Sequence, residues 1–168
     1  MPRFEVISQI SAPAIRCFDA ARDIDLHESS LKHTGERAVG GKTSGLIGLG
    51  ETVTWRARHL GVVQNLTSRI TAFDPPRYFQ DRMIQGVFAS FVHDHYFEEM
   101  DGRTKMRDVI EFRSPLGPLG WLADTLFLRR YLERLITRRA YALRQAIERS
   151  HPAAVGDGFG LPVGRGEP

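Results

Sequence analysis

Alternation of large apolar with polar residues dominates the middle of this chain. In Phe91-Val92-His93-Asp94-His95-Tyr96-Phe97, a β-strand places Phe91, His93, His95 and Phe97 on one face. The same reading puts Phe79, Asp81 and Met83 on one face of a strand over residues 77–85. It puts Met106, Asp108, Ile110 and Phe112 on one face of a strand over residues 103–113. The turn Asp101-Gly102 between the last two runs is a strong hairpin signal.

Further strands are predicted over residues 4–10, 37–39, 51–59 and 62–73, the last stopped by Asp74-Pro75-Pro76. In the 51–59 run, Glu51, Val53, Trp55, Ala57 and His59 share a face. After the first strand, Ser11 is expected to cap a short helix with Pro13 in its first turn. Asp23 or Asp25 is expected to cap a second one. From Leu119 the period changes. Leu122, Leu126, Leu132, Leu135, Ile136, Leu143 and Ile147 fit a long helix over roughly residues 119–149. Thirty residues at 1.5 Å each would reach about 45 Å, enough to cross a sheet. Short connections favour antiparallel pairing, and the order strand, two short helices, about six strands and a long helix gives an α+β domain. The domain is expected over residues 1–149. Residues 150–168, rich in glycine and proline with little to bury, are expected to be a disordered tail.

Bulk properties narrow the class. At 168 residues the chain suits one domain. It has no apolar run of transmembrane length and no signal-peptide core at its start, so a cytoplasmic protein is expected. Cys17 is the single cysteine, which excludes an intramolecular disulfide or a thiolate cluster. A net charge of +3 is weak evidence for nucleic acid, and none is expected as a partner. The basic excess lies in the C-terminal segment: Arg129, Arg130, Arg134, Arg138, Arg139, Arg144 and Arg149. Those residues are either the solvated face of an amphipathic helix or a surface for anionic lipid or a protein partner. A monomer or homodimer is expected.

Each inward row of the sheet carries ionisable groups: Asp81, His93, His95 and Asp108. Burying such groups is unfavourable unless they are paired, neutralised or facing a cavity, so a pocket with a few polar contacts is expected. Counting out from the hairpin turn sets His95 close to opposite Asp108, with His93 one step deeper. Three readings stay open. The four form a self-satisfied network that fixes strand register, they orient a ligand, or a His–Asp pair acts as a general base. The candidate pocket residues are Glu51, Trp55, Asp81, Met83, Phe91, His93, His95, Phe97, Met106, Asp108, Ile110 and Trp121. Trp121 and Phe127 form either a gate or ordinary packing. His59, near a turn, reads as solvated, and His27 and His33 carry no pattern. Two histidines and two carboxylates can ligate zinc or iron, but no further motif supports such a site, so no metal or cofactor is expected. The glycine-rich stretch 35–50 lacks phosphate-loop spacing.

This element order resembles the START-like, or SRPBCC, superfamily, with its pollen-allergen and polyketide cyclase/dehydrase-like members. The resemblance covers residues 1 to about 149. It rests on Ser11-Ala12-Pro13 opening a helix that carries Phe18, on Asp74-Pro75-Pro76 between middle strands, and on the long terminal helix. Glu51-Thr52-Val53-Thr54-Trp55, Phe79-Gln80-Asp81-Arg82-Met83 and the 91–97 segment look like a bacterial subgroup described as ligand-binding SRPBCC proteins. The resemblance implies a helix-grip fold, in which a curved antiparallel sheet of six to seven strands wraps the long helix and encloses a hydrophobic cavity. It also implies a small or medium hydrophobic ligand, such as a lipid, isoprenoid or polyketide-like compound. The superfamily spans carriers and enzymes, so the fold alone decides no activity.

Overall fold

The structure is a computed structural model that describes residues 2–115, 117 and 127–150. Strand β1 (Arg3–Ile10) leads into helices α1 (Ala14–Ala21) and α2 (Ile24–Ser30) and a short 3-10 turn at Lys32–Thr34. Six further strands follow: β2 (Arg37–Gly41), β3 (Thr52–His59), β4 (Val62–Asp74), β5 (Tyr78–Gln85), β6 (Ser90–Met100) and β7 (Arg103–Arg113). Helix α3 (Arg129–Ser150) closes the described chain. The expected start of that helix near Leu119, with Leu122 and Leu126, and the expected tail from 151 onward lie outside the described residues.

The seven strands form one antiparallel sheet in the order β1-β7-β6-β5-β4-β3-β2. Every neighbour is also a sequence neighbour except β1, which crosses over to pair with β7. Irregularities in the β4–β5 pairing, between Thr67 and Ser68 and between Ile70 and Ala72, bend the sheet into the open curve of a helix-grip fold. Two hairpin turns are tight, one of them the Asp101-Gly102 turn read from sequence. Leu60-Gly61 and Asp101-Gly102 both hold positive φ, a conformation that glycine adopts at little cost.

Helix α3 lies in the grip of the sheet. Its buried stripe is Leu132, Ile136, Ala140, Leu143 and Ile147, spaced for one face, and Arg139 lies buried within it. One apolar cluster centres on Phe18, whose ring meets Phe73, Phe79 and Phe97 edge-on at 5.2–5.6 Å. A second joins Phe4, Ile110, Phe112, Leu132 and Ile136 at the other end. Cys17 is sealed in the first cluster, as a small buried thiol should be.

The first helix is held differently from expectation. Pro13, not Ser11, stands at the cap position, and no side chain caps the helix. Carboxylates from distant elements instead take backbone N–H groups at its start and just before it. Glu148 of α3 accepts from Ser11 N at 3.0 Å, and Glu99 of β6 accepts from Ala14 N at 2.7 Å. Asp23 caps α2 through Asp25 N and Leu26 N, one of the two options the sequence left open.

Candidate functional site

Between the concave sheet and α3 lies a cavity of about 320 Å³. Trp55, Ala57 and His59 of β3 form one part of its sheet wall, and Asp81, Phe91 and His93 of β5 and β6 form another. Leu132, Leu135, Ile136 and Arg139 close it from the helix side. His27, Leu31 and Glu36 close one end, and Val87, Phe88 and Tyr131 also line it. The lining is mainly aliphatic and aromatic, with a few polar groups that converge on it.

Those polar groups are fixed in pairs. His27 stacks on Trp55 with ring centroids 4.0 Å apart, and its Nε2–H donates to Glu36 Oε1 at 2.8 Å. Burial and the nearby Arg139 guanidinium push the His27 pKa down, so the ring donates as a neutral imidazole. Burial alone would raise the Glu36 carboxyl, but the hydrogen bond from the His27 ring holds it below its usual range. His59 Nδ1 lies 2.8 Å from the Tyr131 hydroxyl, and burial lowers its pKa as well. Arg139, 6% exposed, donates to the Ala21 carbonyl at 3.0 Å and meets no carboxylate in an ion pair among the described residues.

The four ionisable residues read from the sheet pattern do come together. Asp81 faces His93 across β5–β6, and His95 faces Asp108 across β6–β7. One oxygen, Asp108 Oδ1, lies 2.9 Å from His93 Nε2 and 2.7 Å from His95 Nδ1. The His93 contact is a well-formed hydrogen bond. The His95 contact is off the line of one, and there the attraction is chiefly electrostatic. Two lone pairs 2.7 Å apart would repel, so Nδ1 of His95 carries the proton. Burial, the neighbouring His93 and then Arg139 lower the His95 pKa, more than Asp108 raises it. Burial would raise the Asp108 carboxyl, but the two imidazoles overcome this and hold it well below its usual range. One ligand atom from each of Asp81, His93 and His95 lies within 4.8 Å of the others, so these are the described residues able to converge on a cation.

The expected pocket residues divide into groups. Trp55, Asp81, Phe91 and His93 line the cavity. His95 lies beside it in a hollow of about 20 Å³ shared with Trp55, Asp81 and Arg139, and Asp108 lies behind both histidines. Phe97 and Met106 belong to the Phe18 cluster and Ile110 to the second cluster, because the two ends of the sheet pack as solid core. Met83 is half-buried on β5 away from the cavity wall. Glu51 is exposed at the surface, where its carboxylate accepts from Gly48 N at 2.7 Å and pairs with Lys42 at 3.4 Å. Trp121 lies outside the described residues.

Several cavity residues were not expected from sequence. His59 is not simply solvated, and His27 with Glu36 had no visible signal because the pair forms between α2 and the edge of β2. Arg139 did have one, since it falls on the buried stripe between Ile136 and Leu143. Arg129, Arg130, Arg134 and Arg138 lie exposed on the outer side of α3. Among the described residues no helix is long and apolar enough to cross a membrane.

The sequence matches, over residues 1–148, the family described as polyketide cyclase / dehydrase and lipid transport. The chain belongs to that family. Its fold recurs in solved structures. TTHA0849 from Thermus thermophilus superposes with a TM-score of 0.73 at 15% identity, over 89% of this chain and 99% of that one. The Zhui aromatase/cyclase from Streptomyces sp. R1128 gives 0.73 at 18% identity, over 92% and 98%. A START superfamily protein from Mycobacterium smegmatis gives 0.68 at 10% identity, over 88% and 98%. At these identities the likeness is one of fold. No curated protein matches the chain.

Proposed function

We propose that the cavity binds one small or medium hydrophobic molecule of lipid, isoprenoid or polyketide-like class, which a few polar groups orient. The observation that carries this reading is the cavity itself. It holds about 320 Å³ with a mainly apolar lining, a volume at the lower end of small-molecule sites. Burial supplies the affinity, at about 25 cal/mol per Å² of apolar surface removed from water. Arg139, Asp81 and His93 supply polar contacts along the walls, and the His27–Glu36 and His59–Tyr131 pairs supply them nearer the ends.

Native mass spectrometry of freshly purified protein, followed by solvent extraction, tests the reading. A discrete added mass that is lost on denaturation identifies the ligand class. A clean apo mass together with failure to bind a hydrophobic fluorescent probe would overturn it.

One observation favours a second reading, a cyclase- or dehydratase-type enzyme. His93 reaches the cavity while a fully buried carboxylate, Asp108, holds its Nε2 at 2.9 Å. An oriented imidazole of this kind is how a general base is prepared. This reading predicts that His93→Ala keeps ligand affinity and loses turnover. Equal loss of both would leave His93 a binding group.

A further inference from the structure

Negative charge outweighs positive charge around the inner wall of the cavity. Asp81, Asp108 and Glu36 bring three carboxylates. His27 holds Glu36, and the nearby fixed cation, Arg139, is turned to the Ala21 carbonyl. No lysine or arginine among the described residues forms an ion pair with Asp81 or Asp108, and Asp81 has no hydrogen-bond partner there. A half-buried carboxylate that faces two imidazoles without a partner is an unbalanced arrangement.

The geometry of the two imidazoles shows what would balance it. Asp108 Oδ1 takes the Nε2 side of His93 and the Nδ1 side of His95. When each ring is neutral, its proton sits on that side, and the lone pairs remain on His93 Nδ1 and His95 Nε2. A carboxylate that receives the far N–H of a metal-bound histidine is the arrangement that fixes tautomer and ring orientation around metal ions. Phe79 stacks on the His95 ring at 4.1 Å, and the two imidazoles lie 3.8 Å apart, so neither ring is free to swing. The cross-strand register places Asp81 directly against His93, and one possible ligand atom from each of Asp81, His93 and His95 falls within 4.8 Å of the others.

We propose that Asp81, His93 and His95 bind one divalent transition-metal ion of the zinc class, with Asp108 orienting both imidazoles from behind. Two imidazoles and one carboxylate suit zinc or iron(II) and leave coordination positions open. Asp81 and His93 both line the cavity, so the open positions face it. The hydrophobic ligand proposed above would then present an oxygen, as carbonyl, hydroxyl or carboxylate, to the ion. This departs from the expectation of no metal: the sequence offered the two histidines and two carboxylates without a supporting motif, and only the fold shows Asp108 behind both rings and Asp81 beside them.

The test is zinc binding by the full-length protein, stripped with a chelator, dialysed and titrated with zinc chloride alone. Calorimetry and metal analysis after desalting give affinity and stoichiometry. The expected result is one retained zinc per chain, with affinity falling at least tenfold in Asp81→Asn. It should fall about 10- to 100-fold in Asp108→Asn, which removes no ligand. Asp81 is half-buried, so its variant should fold, and circular dichroism checks this. Cobalt(II) in place of zinc should give a visible spectrum that Asp81→Asn alters. His33→Gln, at an exposed histidine, should bind zinc as the parent does. Failure of the parent to retain zinc, or equal retention by folded Asp81→Asn, would overturn the proposal. Binding of a hydrophobic probe by stripped protein and by Asp81→Asn is read in parallel. If probe binding survives where zinc binding fails, the cavity reading stands and the metal reading falls.

Discussion

His95 stands directly opposite Asp108 across the β6–β7 hairpin, and the two side chains close to 2.7 Å with both sealed from water. A charged acceptor so enclosed contributes to stability only while its donors are in place. The pair therefore ties hairpin register to the interior of the cavity wall.

Asp108→Asn should destabilise the protein by about 2–3 kcal/mol, the usual worth of hydrogen bonds to a charged group. Urea unfolding with an unchanged slope checks it. A loss under about 0.5 kcal/mol would show that the buried carboxylate does not hold the hairpin.

Stability should fall as the medium is acidified from near neutrality. The folded-state pKa values of His27, His59 and His95 all lie below their ordinary value of 6.5, with burial the largest cause. The unfolded chain then binds more protons as pH drops through about 6.5, which favours unfolding. Asp108, held below its ordinary 3.8, adds a loss of the same sign at lower pH. The melting temperature should be level above about pH 7 and decline below it. A rise on acidification from about pH 7 to about pH 5 would contradict this origin.

Filling the cavity should abolish binding without unfolding the protein. Ala57 is 6% exposed, and Ala57→Phe would project a ring into the space between Trp55 and the helix. Overpacking of this kind costs about 1–3 kcal/mol, and affinity for a hydrophobic probe should drop more than tenfold. Glu51→Gln, at the surface, should leave probe affinity unchanged.

Ending the chain after Ser150 should leave stability within about 0.5 kcal/mol of the parent if the folded domain ends near residue 149. The urea midpoint measures it. A larger loss would extend the folded domain beyond residue 149.

Much of the site was readable before the fold, and the limits have clear causes. Alternation over 91–97 and 103–113, with Asp101-Gly102 as the turn, placed His95 against Asp108 because pairing out from a two-residue turn leaves little freedom. The same alternation could not tell which inward residues meet space and which meet other side chains. Phe97, Met106 and Ile110 share a face with His95 or Asp108 and became solid core, because Phe18 of α1 and the buried stripe of α3 fill the sheet there.

Sequence by itself determined the local order, because side-chain period, turn chemistry and helix-breaking residues act over a few neighbours. That covers the strands, the short helices, the hairpin and the inward set Asp81, His93, His95 and Asp108. Tertiary structure alone decided the contacts between elements far apart in the chain. It brought Glu36 to His27, Tyr131 to His59, Arg139 to the Ala21 carbonyl, and two histidines to a single oxygen of Asp108. It also decided that the sheet's curve leaves a cavity against α3 where a flatter sheet would have closed. Such contacts depend on how a curved sheet and a helix meet in three dimensions, which no periodicity along the chain records.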